Sequence, residues 1–342
     1  MKKSNNCLNM AKGIACFFVV FMHIPFPNTF GIVVKKIGEF AVPLFYMISG
    51  FFLWKPELKE VKLGLIKKIN RLFNVCLKVS IVYLLWNIFI SRFGSGHLAI
   101  SAFLKRSFTL EHLYKFILFQ NTDIFGGRSP YWFLFALLST YVLLFAVFML
   151  PKWRFIYICI PILLPINFYL HTTDIGWDYY NNLWMTAIPY VLIGIIIAER
   201  SFYRGFTPII FIIVSVISLF ITIYGAIVHI SCPISITQFT ICIFAICIIC
   251  LALVYPDVSV QFISNIGAKH SMLIYIIHPF VISIIEKLAK ALHIDNLSVY
   301  HWSSPIIVAL ISLSLSVISK SINSSKISFY HFLPHVASKA SD

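Results

Sequence analysis

Over 342 residues the chain is 60% hydrophobic and only 11% charged, with a mean hydropathy of +0.90, whereas soluble domains carry about 25% charged residues. No soluble fold of this length could hide so much apolar surface, so the composition predicts an all-α polytopic membrane protein. The net charge of +15 is no nucleic-acid footprint, because the cations are scattered through short loops between apolar spans and form no basic stripe interleaved with aromatics.

Taken in chain order, the first predicted helix covers 10–27. Lys2 and Lys3 ahead of an apolar stretch imitate a secretory signal. No A-x-A-like cleavage pattern follows, so the segment reads as a retained helix. Lys12 and His23 bracket its apolar part. Eleven residues at about 100° each return within roughly 20° of the start, so the two share a face about 16 Å apart along the axis. With Lys12 at the membrane surface, His23 would lie about halfway into a hydrocarbon core of about 30 Å. An ionisable group at that depth is costly and marks a candidate functional site. His23 reads as a general base for a hydroxyl or a nucleophile that carries an acyl group, or else as a neutral imidazole bonded to a nearby carbonyl. Lys12 reads as a contact for an anionic cofactor or as a snorkelling anchor.

The second apolar run, 38–54, is short and carries Pro43 and Gly50. Such interruptions are tolerated where backbone is buried in protein or lines a cavity. Ser49-Gly50-Phe51 closes the run, with a glycine that permits close backbone approach. The loop Lys55–Arg71 is the densest basic stretch. Lys67 and Lys68 stand four and three residues before Arg71, so one helical face presents several cations. They suit a phosphate-rich ligand, or anionic headgroups and the positive-inside signal.

A third helix is predicted over 72–91. The apolar patch within 108–125 is too short to span and reads as interfacial or re-entrant. Helices follow at 131–150, 154–170, 183–198, 206–228 and 234–254. The first of these opens on Pro130-Tyr131-Trp132-Phe133-Leu134, where Trp132 reads as an interfacial belt residue or as part of a site. Most of the eight cysteines fall in apolar runs, and Cys247-x-x-Cys250, with no acid or His beside it, reads as packing. The run 271–288 contains a second intramembrane histidine, His278, three residues after Tyr275 and just before Pro279. That proline frees a backbone carbonyl for other bonds. His171, His229 and His270 lie near predicted helix ends. A helix over 304–320 completes ten.

With both termini cytoplasmic, the inner loops hold 18 of the 27 Lys and Arg residues and the outer loops the other 9. That bias favours an even number of spans. Five of the outer cations lie in 92–130, the one segment whose side is ambiguous. The expected organisation is a transmembrane domain over 1–325 and a short cytoplasmic tail over 326–342. There is no H-E-x-x-H, no phosphate-cradling glycine loop and no Cys/His cluster with metal spacing, so no metal is expected. No carboxylate pair suggests glycosidase chemistry.

Five of these segments, in this order, resemble membrane-bound acyltransferase family 3, the integral-membrane O-acyltransferases of bacterial surface glycans. They are Lys12-Gly13-Ile14-Ala15 through His23, Ala41-Val42-Pro43-Leu44-Phe45-Tyr46-Met47-Ile48-Ser49-Gly50-Phe51, Lys67-Lys68-Ile69-Asn70-Arg71-Leu72, Tyr131-Trp132-Phe133-Leu134 and Ser271-Met272-Leu273-Ile274-Tyr275-Ile276-Ile277-His278-Pro279. The chain departs from the family pattern in carrying Lys at position 12 and in the basic motif, where Arg is commoner.

The resemblance implies a bacterial inner-membrane, multi-pass enzyme. Acetyl-CoA would be its cytoplasmic acyl donor, and a hydroxyl of a lipid-linked or surface glycan its acceptor. It implies that His23 is catalytic and that Lys12, Lys68 and Arg71 engage the CoA phosphates. Ser49, Trp132, Tyr275 and His278 would line the site. Whether attack is direct or passes through an acyl-histidine stays open. The residues by themselves also suit a proton-coupled transporter or flippase in which His23 and His278 form a relay.

Overall fold

The computed structural model describes residues 5–93, 99–125, 131–228 and 235–337, with side chains up to 322. Arg128, Pro130, His229 and Cys232 lie outside the described residues, as do Lys2, Lys3 and Lys339. All the described regular elements are helical. They are α1 (Asn6–His23), α2 (Asn28–Gly38), α3 (Ala41–Phe51), α4 (Leu58–Phe93), α5 (Ile100–Ser107), α6 (Leu110–Phe119), α7 (Trp132–Val147), α8 (Cys159–Leu170), α9 (Ile188–Arg200), α10 (Pro208–Val228), α11 (Ile236–Val254), α12 (Gln261–Lys269), α13 (Ser271–Ala291) and α14 (Ser298–Ala337).

Each of the ten apolar runs contains a helix. Among the described residues eight segments are long and apolar enough to cross a membrane: α1, α4, Trp153–Leu170, Leu183–Arg200, α10, α11, α13 and Ser298–Ile322. The helix α7 is apolar but shorter, at 16 residues, and α3 has only 11.

Four features differ from the sequence expectation. Pro43 does not break the second run, because it sits in the first turn of α3, where a missing N–H costs no helical bond. The interruption falls before it, at Glu39 and Phe40, and separates α3 from α2. The basic stretch up to Arg71 is helical from Leu58 onward and continues without a break into the apolar part of α4. Lys and Arg are good helix formers, and no proline interrupts the run. A short helix, α12, precedes α13 and packs on α1. The helix α14 runs through the boundary expected at 325. In 108–125 the helix α6, capped by the Thr109 side chain accepting from the His112 N–H at 3.1 Å, is too short to span.

Lipid tails are as apolar as leucine, so close packing and polar ties, rather than burial from water, hold membrane helices together. Two glycine contacts bring backbones together here. A Cβ at Gly50 of α3 would overlap the Val191 carbonyl of α9, and one at Gly194 would overlap the Met47 carbonyl in return. Gly13 of α1 and Gly267 of α12 make the same kind of contact. Hydroxyls add interhelical bonds, with Thr222 of α10 and Thr240 of α11 at 2.7 Å. His270 Nδ1 lies 2.9 Å from Ser316 Oγ of α14.

The C-terminal ends of α1 and α8 gather with the N-terminal ends of α3, α7 and α11 around one cavity. At the opposite end the start of α1 meets the end of α11, where Asn5 Nδ2 donates to the Ala252 carbonyl at 2.8 Å.

Candidate active site

His23 is the last residue of α1, and its exposed ring faces a cavity of about 410 Å³. The walls come from α2 (Lys35), the break after it (Glu39), α3 (Val42, Pro43), α7 (Trp132), α8 (Asn167), α9 (Tyr190) and α11 (Gln238). The segment after α8 adds His171, Trp177, Tyr180 and Asn181. The size suits a small ligand, and the mixture of aromatic faces with a few polar groups is what ligand cavities show.

Beside His23 lies His278, fully buried, with ring centroids 5.1 Å apart and planes at 39°. Its Nδ1 is 3.2 Å from the Ile274 carbonyl oxygen. A ring N–H donated there assigns the tautomer and leaves Nε2 as a lone-pair acceptor. That Nε2 is buried and has no hydrogen-bond partner among the described residues. Pro279 lacks an N–H, so it gives the Tyr275 carbonyl no i to i−4 helical bond, although α13 runs unbroken through it. Tyr275 lies 6.0 Å from His278 and 5.7 Å from Phe133, ring to ring. Phe133 in turn packs on Tyr46 at 4.3 Å.

Glu39 stands at the break between α2 and α3 and is held from two sides. Lys36 Nζ donates to both its oxygens, at 3.2 and 2.9 Å, and Gln238 Nε2 donates to Oε2. The aromatic wall is also fixed. Asn182 Nδ2 donates to the Asp178 and Tyr179 carbonyls at 2.8 and 3.0 Å. Its Oδ1 accepts from the Trp184 and Met185 N–H groups, opening a π-helical turn over Leu183–Ala187. Gln120, in a left-handed conformation at φ 53°, accepts from the Leu183 N–H at 2.7 Å. Short π-helical insertions of this kind recur at functional sites. Trp177 meets Trp132 edge-on at 5.0 Å and 89°. His171 packs on Tyr180 at 4.1 Å. Burial, and then the charge of Lys36, push the His171 imidazole down to about 4. It is therefore neutral at physiological pH.

The residues expected from sequence, Lys12 apart, fall in two places. His23 and Trp132 line the cavity, and His278 and Tyr275 stand behind His23. Lys68 and Ser49 lie at the other end of α3. Lys68 Nζ donates to the Ser49 carbonyl at 3.4 Å and sits 5.6 Å from the centre of the Tyr141 ring. Lys67 and Arg71 are exposed on the same stretch of α4. Lys12 is partly buried in α1, where α12 crosses. The helix α3 links the two places, from Pro43 in the cavity to Ser49 beside Lys68, about 9 Å along its axis.

Sequence reasoning missed the cavity's polar wall. Glu39 and His171 read as helix-end residues, and Gln238 lay unnoticed in an apolar run. A buried Gln inside a membrane helix is the signal that could have found it. Cys247 and Cys250 are buried and unbonded, as packing residues are. Among the described residues no three His, Cys, Asp or Glu side chains gather where a metal could bind.

A protein-family model described as an acyltransferase domain matches residues 5–320. No curated protein and no solved structure matches the chain.

Proposed function

The chain belongs to acyltransferase family 3, which covers nearly its whole length, and from that premise we propose an integral-membrane O-acetyltransferase that moves acetyl from acetyl-CoA to a glycan hydroxyl. The observation that carries the reading is the placement of His23 on a polar, aromatic-walled cavity of about 410 Å³, with His278 packed beside it. The basic end of α4 meets the far end of α3, which supports a donor entering opposite the acceptor. In this arrangement Lys68, Arg71 and Lys12 face the CoA phosphates on the cytoplasmic side of a bacterial inner membrane. Lys supplies a point charge where Arg would supply a bidentate fork.

His23 then takes the proton of the acceptor hydroxyl as its oxygen attacks the thioester carbonyl. Collapse of the tetrahedral intermediate breaks the C–S bond, and the imidazolium returns the proton to the CoA thiolate. The products are the sugar ester and free CoA. In the two-step form an imidazole nitrogen attacks first, CoA leaves, and the sugar oxygen displaces the histidine. Both forms need a neutral imidazole for part of the cycle. The same pair of histidines also favours a second reading, a proton-coupled carrier, which requires no acetyl-CoA.

The test follows O-acetyl groups on the host's surface glycans by NMR or mass spectrometry. It compares a deletion strain with strains complemented by wild type or by His23→Ala at equal expression. Acetyl lost on deletion, restored by wild type and absent with His23→Ala is the expected result. Full restoration by His23→Ala would remove His23 from the chemistry. Unchanged acetylation in all strains, with proton-driven flux of a glycan, would favour the carrier.

A further inference from the structure

Among the described residues that line the cavity, Glu39 is the one carboxylate. It is oriented by Lys36 and Gln238. Those donors occupy only some of the lone pairs of a carboxylate, which has about four. The Glu39 side chain remains partly exposed, at 28%, and the space it faces is the cavity containing His23. Its three-residue spacing from Lys36 places both on one face of α2. Gln238 comes from a different helix, so the clamp also ties α2 to α11 at the cavity rim.

The other walls fit the same kind of ligand. Trp177 and Tyr180 offer aromatic faces, and Asn181 and the neutral His171 offer hydrogen-bonding groups. This mixture suits a ring with hydroxyls on its edge and C–H groups on its face. A carboxylate is an acceptor only, so it rewards hydroxyl donors, while Lys35 on the same wall and Lys36 on the carboxylate balance its charge.

We propose that Glu39 is the acceptor-binding anchor of this cavity, where its carboxylate accepts hydrogen bonds from the hydroxyls of a sugar ring and holds another hydroxyl toward His23. This rests on the acetyltransferase reading above and names the part of that site which selects the acceptor. Carboxylate–hydroxyl bonds are charge-assisted and stronger than neutral ones. A Gln at position 39 keeps the shape and can still accept from Gln238, but loses the charge.

The experiment uses the full chain in lipid nanodiscs, with acetyl-CoA as donor and methyl glycosides of glucose, galactose, mannose and N-acetylglucosamine as acceptor probes. CoA release and ester formation are both followed for wild type, Glu39→Gln, Glu39→Asp and His23→Ala. The expected result is at least one glycoside acetylated by wild type. Glu39→Gln should raise the KM for that glycoside at least tenfold and leave the KM for acetyl-CoA within twofold, with Glu39→Asp between them. An unchanged glycoside KM in Glu39→Gln would overturn the inference. So would equal loss on the donor and acceptor sides in both Glu39 variants, which a merely structural role predicts. Release of CoA that depends on His23 but yields no glycoside ester also overturns it. No His23-dependent CoA release under any condition would instead defeat the acetyltransferase reading itself.

Discussion

The His278 imidazole commits one nitrogen to the Ile274 carbonyl and leaves the other open, 5.1 Å ring to ring from His23. A fixed lone pair beside a base can orient it, so His278 is a positioning residue in this account. His278→Gln should lower kcat about tenfold or more while both KM values stay near wild type, since positioned proton transfer contributes about 10²–10⁴-fold in total. A change confined to KM would contradict that role. Lys68→Met keeps the apolar stem and removes the charge. It should raise the KM for acetyl-CoA about tenfold and leave that for the acceptor alone, as steady-state kinetics would show. His171 makes a pH prediction. Its folded pKa is near 4 against an ordinary 6.5, so between these values the unfolded chain binds more protons and stability falls as pH falls. His171→Gln should lose less Tm than wild type between pH 7 and pH 5, and an equal loss in both would refute the assignment. In the sequence His23 and His278 stood out because an ionisable group in an apolar run is conspicuous, and Lys68 because it falls in the densest basic stretch. Glu39 and His171 did not, because a polar residue at a helix end carries no such contrast.

The helix α3 sets the spacing of the site, with one end in the cavity and the other against Lys68. Its depth in the bundle depends on the crossing with α9, where Gly50 and Gly194 let the two backbones touch. Gly194→Ala leaves no room for the added methyl beside the Met47 carbonyl. Overpacking typically costs about 1–3 kcal/mol, so thermal unfolding in detergent should show a clear drop in Tm together with lower transfer activity. A wild-type Tm would contradict the close crossing. The sequence made Gly50 conspicuous within its motif, whereas Gly194 looked like any small residue of an apolar run because its partner is distant in the chain. The apolar runs were readable for the same reason that α2 and α12 were not. Long apolar stretches announce themselves, while short amphipathic helices take their form from the surfaces they lie on.

Across the whole molecule, the cavity opens at the end where α8 leads into His171 and Trp177, while the basic stretch of α4 lies by the opposite end of α3. The proposed function puts the α4 end at the cytoplasm, the side that the distribution of cations favours. In intact cells an impermeant maleimide should label Asp174→Cys, beside the cavity, and should label Lys67→Cys only after the membrane is opened; both positions are exposed. The reverse pattern would invert the topology. The central claim is that acetyl crosses from the basic face to an acceptor at His23. Inside-out membrane vesicles loaded with the methyl glycoside, and given acetyl-CoA only on the outside, test it most directly. The account predicts glycoside ester inside the vesicles with wild type and none with His23→Ala. Undiminished ester with His23→Ala, or ester formed only when acetyl-CoA is enclosed with the glycoside, would contradict it.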